Sequence, residues 1–268
     1  AGRAIKFSAI FMVLLVALPQ NAGIDAKNLK ERKMQKSAIE IRGIPAAVWG
    51  NRSEKVYIYA HGQYGSKDDA ELLASVVCKQ GRQVISFDLP GHGQRRHEPA
   101  SCDPRRAIFE FREILSYAKK RWEEIALFAV SIGAWFSLQS FRDEKFSDCL
   151  FVSPILDMKC VISNIMRRAG ISQERLKQER MILTHVGQPL FWEYWSFVLN
   201  NPITKWETPS RILYAENDDM TPLYIAKNFT QQFDCTLSIM KNGEHWFHTP
   251  QQLDYLRKWI KSAVENRR

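Results

Sequence analysis

The chain has 268 residues, 45% of them apolar and 25% charged, with a formal net charge of +9. This length fits one large domain or two small ones, and the composition is that of a globular protein with a sizeable core. The positive charge forms no basic stripe with interleaved aromatic residues, so nucleic acid is not expected as a partner. The five cysteines, an odd number without a C-x-x-C pair, argue against a disulfide framework or a zinc site.

At the N-terminus Arg3 and Lys6 precede an apolar run, Phe7 to Leu18, closed by Pro19-Gln20-Asn21-Ala22. Basic start, short apolar middle and small residue is the order of a secretory signal, and the run is too short for a stable membrane span. The cysteine count and the start at Ala1 point the other way. The expected location is therefore cytoplasmic, with secretion the alternative if residues 1–22 act as a signal. Residues 1–33 are expected to be an appendage, with Met34 opening the folded part.

From there strand and helix signals alternate. Ile39 to Arg42 alternates apolar and polar, as a half-buried strand does, and Ala46 to Trp49 returns as its hairpin partner after Gly43-Ile44-Pro45. Lys55 to Ala60 is a strand ending at His61-Gly62. Asp68 to Cys78 has helical spacing, Val84 to Phe87 is a short buried strand, and Arg105 to Trp122 is a helix. Ile125 to Phe128 is a buried strand, Ala134 to Gln139 starts a helix, and Cys149 to Ser153 is another strand. Residues 155–208 read as helical with no clear strand and crowd Phe191, Trp192, Tyr194, Trp195, Phe197 and Trp206 together, as expected of an inserted cap. The rings either roof a substrate pocket or pack the cap onto the sheet. The alternation resumes with a strand at Arg211 to Ala215, a helix to about Phe233, a strand at Thr236 to Met240 and a final helix from Gln251 to Val264. Such alternation predicts an α/β fold with a mostly parallel sheet covered on both faces, built from residues 34–154 and 209–268.

Between the strand ending near Phe128 and the helix from Ala134 stands Ala129-Val130-Ser131-Ile132-Gly133. A serine on a sharp strand-to-helix turn needs small neighbours on both sides, and here alanine replaces the first glycine of G-x-S-x-G. Ser131 reads equally as a helix N-cap. A serine hydroxyl needs a base to take its proton, and the base needs an acid to hold it. The chain supplies Asp218 or Asp219 after one late strand and His245 after the next, in the order serine, acid, histidine. His248 competes with His245 for the role of base, and Asp218 reads alternatively as a helix cap.

With His61-Gly62, Asp88-Leu89-Pro90-Gly91-His92-Gly93, Val130-Ser131-Ile132-Gly133 and Gly243-Glu244-His245, the chain from about Ser37 to Trp259 resembles the α/β-hydrolase superfamily. Within it the chain looks most like the capped, serine-aminopeptidase-like esterases and lysophospholipases. The resemblance implies Ser131 as nucleophile, His245 as base and Asp218 as acid, with Asp219 and the remoter Asp157 as alternatives. It also implies an oxyanion hole from the backbone N–H groups of Gln63 and Ile132. The expected activity is carboxylic ester hydrolysis through an acyl-enzyme, on a small apolar or aromatic ester bound under Trp192, Tyr194 and Trp195, with no cofactor or metal. The alternatives are an aminopeptidase or amidase, with Glu193 binding a free amine, and a non-catalytic binding protein.

Overall fold

A computed structural model of the chain describes residues 34–98, 103–185 and 189–265. The signal-like run of residues 7–18, the appendage 1–33 and Cys102 lie outside them. The strands are β1 (Lys36–Ile41), β2 (Ile44–Trp49), β3 (Lys55–Ala60), β4 (Gln83–Phe87), β5 (Glu124–Val130), β6 (Cys149–Val152), β7 (Met181–Ile182), β8 (Leu190–Phe191), β9 (Ser210–Asn217) and β10 (Cys235–Glu244). The helices are α1 (Glu71–Val77), α2 (Pro104–Lys119), α3 (Ile132–Ser140), α4 (Met158–Ala169), α5 (Gln173–Glu179), α6 (Trp192–Asn200), α7 (Leu223–Gln232) and α8 (Pro250–Glu265).

Eight strands form one sheet in the order β1-β2-β4-β3-β5-β6-β9-β10. The β1–β2 and β2–β4 pairs are antiparallel and every later pair is parallel. The central strands have apolar residues on both faces, as parallel strands roofed by helices require. Val56, Ile58, Ile85, Leu127, Ala129 and Phe151 face α2, α3 and α7 through Phe111, Trp135, Phe136 and Phe229. Their neighbours Tyr57, Tyr59, Val84, Phe128 and Leu150 face α1 and α8 through Leu73, Val77, Leu256 and Ile260.

Residues 155–208 carry α4, α5 and α6, and also the two-residue strands β7 and β8, which pair antiparallel. Sequence periodicity gives no strand there because two residues are too few to show alternation. The helix expected from Ala134 begins at Ile132, directly after the serine.

The loops after β3 and β4 are fastened to each other. Asp88, fully buried, accepts the Lys67 backbone N–H at 2.8 Å, the Lys67 ammonium at 3.0 Å and the Gln94 N–H at 3.0 Å. His61, also fully buried, accepts the Leu89 N–H on Nε2 at 3.0 Å. Its Nδ1 therefore carries the proton and donates to the Gly62 carbonyl at 2.8 Å. Burial pushes the His61 pKa down from 6.5 to about 4; the Gly62 carbonyl and the Asp88 charge oppose the shift, and His92 and Lys67 add to it.

An unfolded chain protonates this imidazole as pH falls through about 6.5, whereas the folded chain resists until about 4. Stability is thus lost progressively between those values, by about 3 kcal/mol in all, with no further loss from this group below them. Urea unfolding at several pH values should show wild type losing about that much more than His61→Asn on acidification. Parallel pH profiles for the two proteins would refute this.

Candidate active site

Four chain segments meet beyond the carboxyl ends of β3, β5, β9 and β10, the edge where parallel sheets gather their ligand-binding groups. Ser131 follows β5 directly, with φ 50° and ψ −117°, a left-handed conformation that is strained for serine. Its N–H donates to the Val152 carbonyl at 3.1 Å, and its own carbonyl accepts from Ile155 and Ala134. The hydroxyl does not cap α3, which answers the alternative reading of this serine. Instead Ser131 Oγ lies 2.8 Å from His245 Nε2. Alanine at 129 is accommodated because it is a strand residue, in register with Ala60 and Phe151. The requirement for glycine falls on Gly133. A Cβ there would stand 2.5 Å from the His61 carbonyl oxygen and 2.6 Å from that of Ala60.

His245 follows β10, and its Nδ1 lies 2.8 Å from Asp218 Oδ2. The Asp218 side chain is fully buried, and its other oxygen accepts the N–H groups of Met220 at 2.9 Å and Thr221 at 2.8 Å. Sequence reasoning missed what holds this turn. Thr221 Oγ1 donates to the Pro154 carbonyl at 3.1 Å, tying the turn to the end of β6, and the Tyr214 hydroxyl donates to the Thr221 carbonyl at 2.7 Å. Burial, with the Asp218 charge, pushes the Tyr214 phenol up to about 12.

The competing residues are placed otherwise. Asp219 is exposed. Asp157 caps α4 by accepting the Cys160 N–H at 3.0 Å. His248 stacks on Trp246 and bonds its carbonyl. The Glu193 carboxylate is held by Arg180.

Gln63 lies in a turn closed by Gly65 N–H to the Gly62 carbonyl at 3.1 Å, and a Cβ on Gly62 would meet Ser131 Cβ at 3.4 Å. Among the described residues, no acceptor takes the backbone N–H of Gln63 or of Ile132. The expected aromatic cover is packed against protein. Trp195 is buried with its indole N–H on Gln173 at 3.0 Å, and Trp192 lies under the Lys177 ammonium. Tyr194 stacks on Trp135, one turn beyond Ser131, with ring centroids 5.8 Å apart. Trp135 is itself buried in the core, against Phe136, Tyr194 and Phe197. Among the described residues, no group of three or more His, Cys, Asp or Glu side chains could hold a metal ion, and no helix is long and apolar enough to cross a membrane.

No protein-family model matches the chain, and no curated protein matches it by sequence. Solved structures do. A hydrolase from Agrobacterium vitis superposes with a TM-score of 0.71 at 18% identity, over 87% of this chain and 100% of its own. Est1E from Butyrivibrio proteoclasticus, with ferulic acid bound, gives 0.69 at 16% identity over 86% and 98%. Mouse alpha/beta hydrolase domain-containing protein 10 gives 0.68 at 15% identity over 86% and 98%. The chain has the α/β-hydrolase fold.

Proposed function

We propose that this protein is a serine hydrolase that cleaves carboxylic esters of small molecules through an acyl-enzyme. The observation that carries the reading is the relay Ser131–His245–Asp218, with both links at 2.8 Å. Asp218 accepts the Nδ1–H of His245, which fixes the tautomer that leaves Nε2 free to take the Ser131 proton. Ser131 Oγ then attacks the ester carbonyl, and the oxygen that becomes negative is met by the N–H groups of Gln63 and Ile132. Collapse of the tetrahedral adduct expels the alkoxide, which takes the proton from His245. Water, deprotonated in turn by His245, releases the acid and restores the serine.

Residues 155–208 act in this reading as a cap over a core of residues 34–154 and 209–268. Trp192 and Trp195 pack within the cap against α5, and the Tyr194–Trp135 stack joins the cap to the helix that starts at the nucleophile. This supports an acyl chain or aromatic group as the part of the substrate held beneath it. Est1E, of the same fold, holds ferulic acid. Glu193, the residue an amine-binding aminopeptidase would use, is paired with Arg180 at the surface.

A fluorophosphonate probe should label the wild-type protein, and Ser131→Ala should abolish both labelling and turnover of p-nitrophenyl esters. A folded wild-type protein that takes no label would sink the assignment in favour of a binding protein. Asp218→Asn should lower kcat about 10³- to 10⁴-fold, because the asparagine amide stabilises the wrong imidazole tautomer. Asp219→Asn should stay within about twofold of wild type. A reversed pattern in the two kcat values would move the acid to Asp219.

A further inference from the structure

We propose that Lys67 and His61 are positioning residues for ester hydrolysis: the adjacent residues Asp88 and Leu89 grip both ends of the loop 61–67 through them, and this aims the Gln63 N–H at the substrate carbonyl. The inference rests on the assignment of Ser131 as nucleophile and of Gln63 as an oxyanion donor.

The aim of a backbone N–H is set by its peptide plane. In a trans peptide the carbonyl of one residue and the N–H of the next point in opposite directions. The Gln63 N–H shares its plane with the Gly62 carbonyl, and the described chain has no cis peptides. That carbonyl is held by two donors, His61 Nδ1–H at 2.8 Å and Gly65 N–H at 3.1 Å. Fixing the oxygen therefore fixes the N–H on the opposite side. The same turn stands against the nucleophile, since only an ordinary contact of 3.4 Å separates a Cβ at Gly62 from Ser131 Cβ.

What prevents the turn from rotating is its attachment at both ends. Upstream, the Leu89 N–H holds His61 Nε2 at 3.0 Å, so the imidazole cannot swing away from the Gly62 carbonyl. Downstream, the Asp88 carboxylate holds Lys67 by its backbone N–H and by its ammonium. The Lys67 side chain is 7% exposed and that of Asp88 is fully buried, so this pair is poorly screened. Asp88 is fixed in its turn by Gln94 N–H, and its backbone carbonyl by the Arg95 guanidinium at 3.1 Å. Arg95 is clamped by Glu110, with both links between 2.5 and 2.7 Å. Inside the loop, Ser66 N–H bonds Asp69 at 3.1 Å, and a Cβ at Gly65 would fall 2.4 Å from that carboxylate. The loop is thus tied at both ends and braced between them.

Lys67→Met keeps the chain length, removes the ammonium and leaves the Lys67 backbone bond in place. For a short p-nitrophenyl ester its kcat should fall roughly tenfold with KM within about twofold, since misaiming one donor weakens only the charged adduct. Affinity for a trifluoromethyl ketone, which forms a tetrahedral oxyanion on the serine, should fall by the same factor, and Lys67→Arg should restore most of both. If Lys67→Met does not fold, the pair Lys67→Met/Asp88→Asn replaces it, removing both charges while keeping an acceptor oxygen. A purely structural Lys67 would shift the melting temperature of the folded variant and leave kcat and ketone affinity unchanged, and that result overturns the proposal. A wild-type protein that takes no fluorophosphonate overturns the nucleophile assignment itself, and this positioning role with it.

Discussion

Where α3 meets the end of β3 there is no room for one more carbon atom. Gly133 sits so close to the carbonyls of Ala60 and His61 that any side chain would collide with backbone, which cannot rotate away. This contact sets the tightness of the turn, and the turn sets Ser131 in its left-handed conformation. Strain of this kind costs on the order of 1–3 kcal/mol and persists only where the surroundings over-determine it. Here the surroundings are α3, buried along every residue from Gly133 to Ser140, and the strand pairs β3–β5 and β5–β6. The same contact brings the loop after β3 against the serine, so the oxyanion donor proposed at Gln63 and the nucleophile proposed at Ser131 share one packing constraint.

The main sheet was legible because its strands are buried on both faces and end in residues that do not continue a strand. His61-Gly62, Asp88-Leu89-Pro90-Gly91 and Asp218-Asp219 each mark such an end. The geometry of Ser131, Asp218 and His245 was legible for a related reason, since residues just past parallel strands must fall on one edge. The choice between Asp218 and Asp219 was legible only through the resemblance, which put Asp218 first. Adjacent residues of the same type differ in which way the turn faces them, and that depends on the Thr221–Pro154 and Tyr214–Thr221 bonds made across the fold. Lys67 was hidden for a similar reason. In Ser66-Lys67-Asp68-Asp69 it reads as one charge of a solvated turn, and only the position of Asp88, 21 residues away, makes it a buried cation. In sequence the aromatic rings of α6 suit lining and packing equally, and the structure shows their packing partners in Trp135, Gln173 and Lys177.

Four of the buried charges, Lys67, Asp88, Arg95 and Glu110, gather around the turn that follows β4, and each has an opposite partner. Pairs of this kind add little net stability over well-packed apolar residues, because desolvation opposes their attraction. What they do impose is a single arrangement, since any rotation of the turn leaves a charge buried without its counterion. A net charge of +9 therefore coexists with a basic residue at the heart of the loop system that is neutral in sum with its neighbour.

Ser131 and His245 are 114 positions apart, and Asp218 stands 27 before the histidine. The histidine follows β10, the edge strand of the sheet, which rests on β9. A chain emerging from the ribosome can therefore form the elbow around Ser131 well before either of its partners exists. In the proposed reading such a nascent chain holds an ordinary alcohol, and chemistry switches on only when the last strand docks, so turnover of a chromogenic ester would report completion of the sheet rather than the appearance of its centre. The long loop closures this demands make assembly slow compared with local helix formation. A fold ordered in this way would withhold the proposed reactivity from every incomplete form of itself.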